Sequence, residues 1–278
     1  MIREFKRAAS VEEAVSLHDQ GYVFLAGGTQ VNNGAAATRG EAPERVVSLD
    51  GLGLGEIEVR SDGCLVGAGV TLQELSDHTG VPAALRRAAG FIPSRSVRNI
   101  ATIGGNVGAG RSDSYLIPAL IALEAQAETS EGTVSVEDYV TEAREALILR
   151  FHIPAVEGAC RAVKESRSHL ALPVVSAAVK IVAGEPGDGG GSAGGGGPSA
   201  VRRAVVAAGC VAARPIRLRT VEAGIVSGEL TGREELENAV AEAVSPEADI
   251  LGSVAFKRYL NAAVIADCIL ACIGEVSS

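Results

Sequence analysis

Two glycine-bearing stretches carry the residue types and spacing in this chain that could do chemistry. One is Leu25-Ala26-Gly27-Gly28-Thr29-Gln30-Val31, directly after the apolar run Tyr22-Val23-Phe24-Leu25. The other runs Arg95-Ser96-Val97-Arg98-Asn99-Ile100-Ala101-Thr102-Ile103-Gly104-Gly105-Asn106, joining two cations, a β-branched run suited to a buried strand, and a glycine pair followed by an amide. A single Gly-Gly pair is most often a turn. Two strand-then-glycine loops suggest instead one ligand held at two points, approached by bare main chain. Successive N–H groups around glycine can form an anion-binding nest for a diphosphate without a lysine, and Phe24 to Val31 are placed to supply one.

Other chemistry finds little support. His18, His78, His152 and His169 lie in unrelated contexts with no HExxH frame, and Ser112-Asp113-Ser114 lacks a nucleophile-elbow setting. The Gly-rich segment 184–200 has neither the GK[ST] ending of a phosphate-binding loop nor GxGxxG spacing before a helix, and reads as a flexible hairpin connection. Five cysteines, an odd number with no CxxC pair, argue against a disulfide framework or a tight metal site and suit a reducing cytoplasm. A net charge of −9 excludes a nucleic-acid backbone as the expected partner. The charged N-terminus MIREFKRAAS has no apolar centre and is not a signal peptide, while Val254 to Ile273 carries Lys257, Arg258 and Asp267, so a packed amphipathic helix is expected there and not a membrane span.

The elements that must position the two loops follow from the patterning. Ser10-Val11-Glu12-Glu13 has capping-box form and predicts a helix to about Asp19, ended by Gly21, before the strand that feeds the first loop. Strands are expected at Val46–Leu49, Ile57–Arg60 and Cys64–Gly67, then helices from Thr71 to about Asp77 and from Pro82 to Ala89. After a polar loop at Val107–Ser114 come a helix Tyr115–Leu123 and strands Ala125–Thr129 and Leu147–Ile153. Beyond Pro154 the expected order is strand Cys160–Lys164, strand Leu172–Ala183, the Gly-rich connection, strand Val201–Ala208, a helix capped by Thr231 with Glu234, and a final helix from about Ser253. At 278 residues, with aromatics at 3%, two compact units with cores of Ala, Val, Leu and Ile are the natural expectation.

AGGTQ followed at this distance by RSVRNIATIGGN resembles the FAD-binding subunit of the xanthine dehydrogenase and carbon monoxide dehydrogenase family of molybdenum hydroxylases, over nearly the whole chain. Within it the resemblance is closest to stand-alone flavin subunits associated with selenate reductases or selenium-dependent purine hydroxylases. The resemblance implies an α+β chain: a two-part FAD-binding domain of the PCMH type over residues 1–158, divided near residue 52, then a small antiparallel sheet domain with helices over 159–278. It further implies FAD contacts from Phe24, Leu25, Ala26, Gly27, Gly28, Thr29, Gln30 and Val31, from Ile92, from Thr102, Ile103, Gly104, Gly105 and Asn106, and from Ile148 and Lys164. By residue type alone, Lys164 reads equally well as a solvated cation. Many members place an Asp nine residues after the Asn of GGN, where this chain has Tyr115, with Asp113 two residues early. Either Asp113 takes over through a shifted loop or ribose recognition is altered.

The implied role is electron transfer from [2Fe–2S] clusters on a small subunit through FAD to NAD+ or another acceptor, with a molybdopterin-binding large subunit oxidising the substrate. The alternatives are a non-redox scaffold that retains the flavin fold, motivated by Tyr115, and an independent flavin oxidase, which lacks a convincing acid–base pair near the loops.

Overall fold

In the computed structural model, residues 2–31, 42–184 and 201–278 are described. The Gly-rich connection lies almost wholly outside them. Three sheets organise the chain. The first is parallel, in the order β1 (Glu4–Arg7), β3 (Arg45–Ser48), β2 (Val23–Leu25), with α1 (Val11–Asp19) as a connection. Ser10 caps α1 by accepting from the Glu13 amide, while the Glu13 carboxylate accepts from Ala9 N–H at 2.7 Å. Tyr22, Leu17, Ala14 and Val47 pack beneath. The ligand loop thus leaves the C-terminal end of a parallel strand, where open α/β sheets present their sites.

The second sheet is antiparallel, in the order β4 (Ile57–Arg60), β5 (Gly63–Gly67), β8 (Ile148–Pro154), β6 (Gln126–Thr129), β7 (Gly132–Ser135). Between β5 and β6 the chain forms α2 (Leu72–Asp77), α3 (Ala83–Gly90), α4 (Arg95–Arg98), α5 (Ile103–Ala109) and α6 (Leu116–Ala122), and α7 (Val136–Thr141) follows β7. The Thr71 capping box forms with both bonds in place. β7 and α7 were not foreseen; their signals are Gly132 at φ +125° and Ser135, which accepts from the Asp138 amide at 2.9 Å.

The central stretch differs from the expected strand. Residues 95–98 form one helical turn capped by Ser94, Thr102 makes a single bridge to Thr71, and Ile103 to Ala109 is helical. Thr102 stops strand formation by acting as N-cap: its hydroxyl accepts from the Gly105 amide at 3.1 Å, which fixes the first turn of α5. The second glycine pair therefore opens a helix, and Val107 to Ala109 belong to that helix and not to a polar loop.

The third sheet runs β12 (Ile216–Arg217), β11 (Val201–Gly209), β10 (Val175–Ala183), β9 (Ala159–Glu165), followed by α8 (Arg219–Ser227), α9 (Arg233–Ala243) and α10 (Val254–Val276). α8 and β12 were missed. The expected Thr231 capping box does not form: Gly232 is the N-cap, without a side-chain bond, and the Glu235 carboxylate lies where a Cβ on Gly232 would be, 2.2 Å away. α10 is long and apolar enough to cross a membrane, with mean hydropathy 1.6, yet Asn261, Ile265, Ala266, Ile269 and Cys272 are buried and the helix packs on β9 and β10.

β10 is buried on both faces because α10 covers one and α6 the other. Ala162, Ala178 and Ala207 of this sheet belong to the same core as Leu116, Leu120 and Phe151, so the two halves share one apolar interior. Several ion pairs cross this seam, with Arg217 and Arg219 reaching Glu137, and the one with the most buried cation is at Glu124. Lys180 of β10 donates to Glu124 at 3.0 Å, with its side chain only 7% exposed, and Glu124 also holds Arg203. Breaking one partner of such a pair strands a buried charge, whereas replacing both with apolar groups is often neutral. Glu124→Leu is expected to destabilise the chain by about 3 kcal/mol in urea unfolding, and the added Lys180→Met to recover most of that loss.

Candidate functional site

The two glycine stretches meet. A Cβ on Gly27 would lie 1.8 Å from the Ile100 carbonyl oxygen, so that glycine is required by loop-to-loop contact. A Cβ on Gly104 would fall 2.6 Å from the Ala68 Cβ, and the Gly104 amide donates to Ala68 O at 2.9 Å, seating α5 against the strand end. Gly105, exposed, has Ala26 Cβ 3.7 Å from its own Cβ position. The two loops were expected to be bare so that a ligand could approach; Gly27 and Gly104 clear space for protein atoms of Ile100 and Ala68.

Amide accounting separates the loops. At the start of α5 the N–H groups of Ile103, Gly104, Gly105 and Asn106 are all used, on Val70 O, Ala68 O, Thr102 Oγ1 and Thr102 O. In the first loop, the amides of Ala26, Gly27, Gly28, Thr29 and Gln30 have no partner among the described residues. Gly28 sits at φ +69°, in the left-handed region that alternates with right-handed residues in anion nests. Phe24, stacked on His18 at 4.3 Å between ring centroids, and half-buried Leu25 anchor the loop's entry, and Val31 closes the described segment.

Asn106 on α5 is oriented by a residue that sequence reasoning passed over. Ser114 Oγ accepts from the amides of Leu116 and Ile117, capping α6, so its proton goes to Asn106 Oδ1 at 2.6 Å. The Asn106 Nδ2 donors are left for another acceptor. The signal was present as a Ser two residues before the apolar run Leu116–Ala122.

A second cluster gathers at the seam. Lys164 Nζ donates to Phe91 O at 3.2 Å and stands 5.7 and 5.6 Å from the ring centroids of Phe91 and Tyr115, whose rings meet edge to face. Ile92, next to Phe91, is half-buried against the same core. The Tyr115 phenol is pushed up to about 12, by burial first and then by Cys210 and Asp113, so it stays protonated. Asp113 accepts a bidentate pair from Arg111 at 2.8 and 2.7 Å. Ile148, at the start of β8, is only 4% exposed and packs into the core. Arg98, of the two cations in the central stretch, pins the Ile92 and Pro93 carbonyls and Gln73.

Residues 2–156 match the model of the family described as the FAD binding domain in molybdopterin dehydrogenase. The chain belongs to that family. YgfM, an uncharacterized protein of Escherichia coli (strain K12), is 36% identical over 271 residues, 96% of this chain and 95% of its own length. Solved structures share the fold over almost all of both chains. Carbon monoxide dehydrogenase of Hydrogenophaga pseudoflava has a TM-score of 0.83 at 22% identity, covering 100% of this chain and 99% of that one. Quinoline 2-oxidoreductase of Pseudomonas putida 86 has 0.81 at 22%, covering 100% and 99%, and the Cu,Mo-CO dehydrogenase has 0.82 at 20%, covering 99% of each.

The cofactor of this oxidoreductase family's domain is FAD, and the amides beside Gly28, without partners among the described residues, fit an anionic group such as its diphosphate. FAD supplies reversible one- and two-electron transfer when bound; the chain's own part is to hold it, orient it and set its surroundings. Gly27→Ala is expected to force the two loops apart and remove most flavin from the purified protein, read as the ratio of flavin to protein absorbance. Ser114→Ala should lower stability by about 1 kcal/mol through the lost cap and also weaken FAD affinity by freeing Asn106 to rotate, read by thermal melting and FAD titration.

Proposed function

We propose that this chain is the electron-transfer flavoprotein of a multi-subunit molybdenum hydroxylase. In this reading FAD lies between residues 1–52 and 53–158, accepts electrons from [2Fe–2S] clusters on a small subunit and passes them to NAD+ or another acceptor, while a molybdopterin-binding large subunit oxidises the substrate. Residues 159–278 form the second domain. The observation that carries the reading is the pairing of a loop whose amides, Ala26 to Gln30, have no partner among the described residues against an α5 start whose amides are already spent: one side can take a diphosphate, the other offers Asn106. Within the family, the AGGTQ and RSVRNIATIGGN segments support a place among the flavin subunits associated with selenate reductases or selenium-dependent purine hydroxylases. A cytoplasmic setting suits five cysteines that are all free thiols.

The assigned contacts follow. Phe24 to Val31 hold the diphosphate end, Ile92 and Thr102 to Asn106 line the middle, and Ile148 and Lys164 border the ring system. Of the two candidates for the missing family carboxylate, Asp113 is the better acceptor: it carries two acceptor oxygens and is one fifth exposed, whereas Tyr115 is wedged against Phe91. Asp113→Ala is therefore expected to weaken FAD binding by roughly 1–3 kcal/mol and Tyr115→Phe to leave it near wild type; the reverse order in FAD titration would refute this assignment. A scaffold reading, motivated by Tyr115, predicts partner association without stoichiometric flavin, so cofactor analysis of the co-purified complex separates the two.

Lys164 has a redox consequence. An ammonium beside the ring favours the anionic reduced form, so Lys164→Met should keep FAD bound while lowering its two-electron potential by roughly 30 mV, equivalent to about 1.4 kcal/mol. Dye-equilibrated photoreduction measures this. An unchanged potential would place Lys164 outside the flavin's reach.

A further inference from the structure

The third sheet ends in an open edge. β9 pairs with β10 on one side, from Ala159↔Ile181 to Glu165↔Val175 without a bulge, and with no strand on the other among the described residues. A run of seven residues without proline or bulge lacks two usual guards against strand addition. Both α3 and α10 pack against β9 from opposite faces of the sheet, so they wall the edge into a groove.

A cavity of about 460 Å³ lies there. Its floor is Arg161, Val163 and Lys164 of β9, one wall is Arg87 and Phe91 at the end of α3, and the other is the stretch of α10 around Val264 and Cys268. No residue of β10 lines it, which places the opening at the sheet's free edge.

Charge narrows the occupant. Arg161 is neutralised by Glu275 at 2.8 Å, and Asp267 is already held by Arg233 at 2.6 Å. Arg87 and Lys164, which share the cavity with Asp267, form no ion pair among the described residues, in a chain whose net charge is −9. A second copy of β9 would bring like cations together, which disfavours self-pairing across this edge. An acidic strand would meet the opposite charges.

We propose that the β9 edge is a strand-addition site for an extended, acidic segment of a partner protein. Main-chain hydrogen bonds to β9 would supply affinity, and carboxylate side chains meeting Arg87 and Lys164 would supply selectivity. Because Lys164 also contacts Phe91 and Tyr115, the added strand would clamp the same lysine assigned above to the flavin border. That the segment comes from a subunit of the same complex rests on the proposed function; the groove itself does not.

The test uses the full chain with FAD bound and a blocked seven-residue peptide of alternating glutamate and valine, read by fluorescence anisotropy and amide hydrogen exchange. Saturable binding that slows exchange within β9 is expected, reduced roughly tenfold or more by Arg87→Glu and abolished when alternate peptide amides are N-methylated. No binding, or no protection of β9, overturns the proposal. Equal binding of the N-methylated peptide also overturns it, since the cavity would then be a pocket for carboxylates alone. Flavin content is measured in parallel: a chain that holds no FAD but binds the peptide as described contradicts the cofactor assignment and supports the groove.

Discussion

The contact on which the site depends is backbone against backbone: Gly27 under the Ile100 carbonyl. Each loop belongs to a different sheet, and neither could form a two-sided site alone. With no side chain between them, the main chains approach to a distance at which even a methyl group would overlap. The loop whose amides lack partners among the described residues is thereby set beside the start of α5, whose own amides are internally satisfied and which presents the Asn106 carboxamide. The division of donors, main chain on one side and side chain on the other, is a consequence of that approach.

The Asn106 carboxamide depends in turn on a relay of hydrogen bonds across the seam. Ser176 of β10 donates to the Ser114 carbonyl at 2.7 Å, and Ser114 caps α6 and directs Asn106. Buried polar groups cost free energy unless they are matched, so a chain of matched ones ties the orientation of a site residue to the packing of a sheet elsewhere. The C-terminal half therefore reaches the N-terminal half's polar groups in two ways, through this relay and through Lys164, which bonds the Phe91 carbonyl.

Much of the fold was legible because local signals and tertiary packing agreed. Ser10 and Thr71 announced helices, and the long β-branched run ending at Ala183 announced a strand. Disagreement arose where one polar atom outweighed propensity: the Thr102 hydroxyl turned a β-branched run into a helix start, and Gly232 displaced Thr231 as a cap. The short elements β7, α7 and β12 were hidden because a few residues carry too little periodicity to register. At the candidate site, the glycine stretches stood out in the sequence and Asn106 came from the resemblance, but Ser114 could not be linked to Asn106 without the fold. Nor could sequence show that Gly27 and Gly104 answer to protein atoms.

The alanines of the seam, Ala162, Ala178 and Ala207, have a kinetic implication. An alanine has no rotamers to freeze, so bringing this surface against α6 costs backbone and rigid-body freedom but almost no side-chain entropy. The sheet's side of the shared core thus closes with little rotamer selection of its own, with Lys180 meeting Glu124 as the alignment mark. A seam of leucines or methionines would bury more surface per residue, yet each side chain would have to select one rotamer before the halves could close.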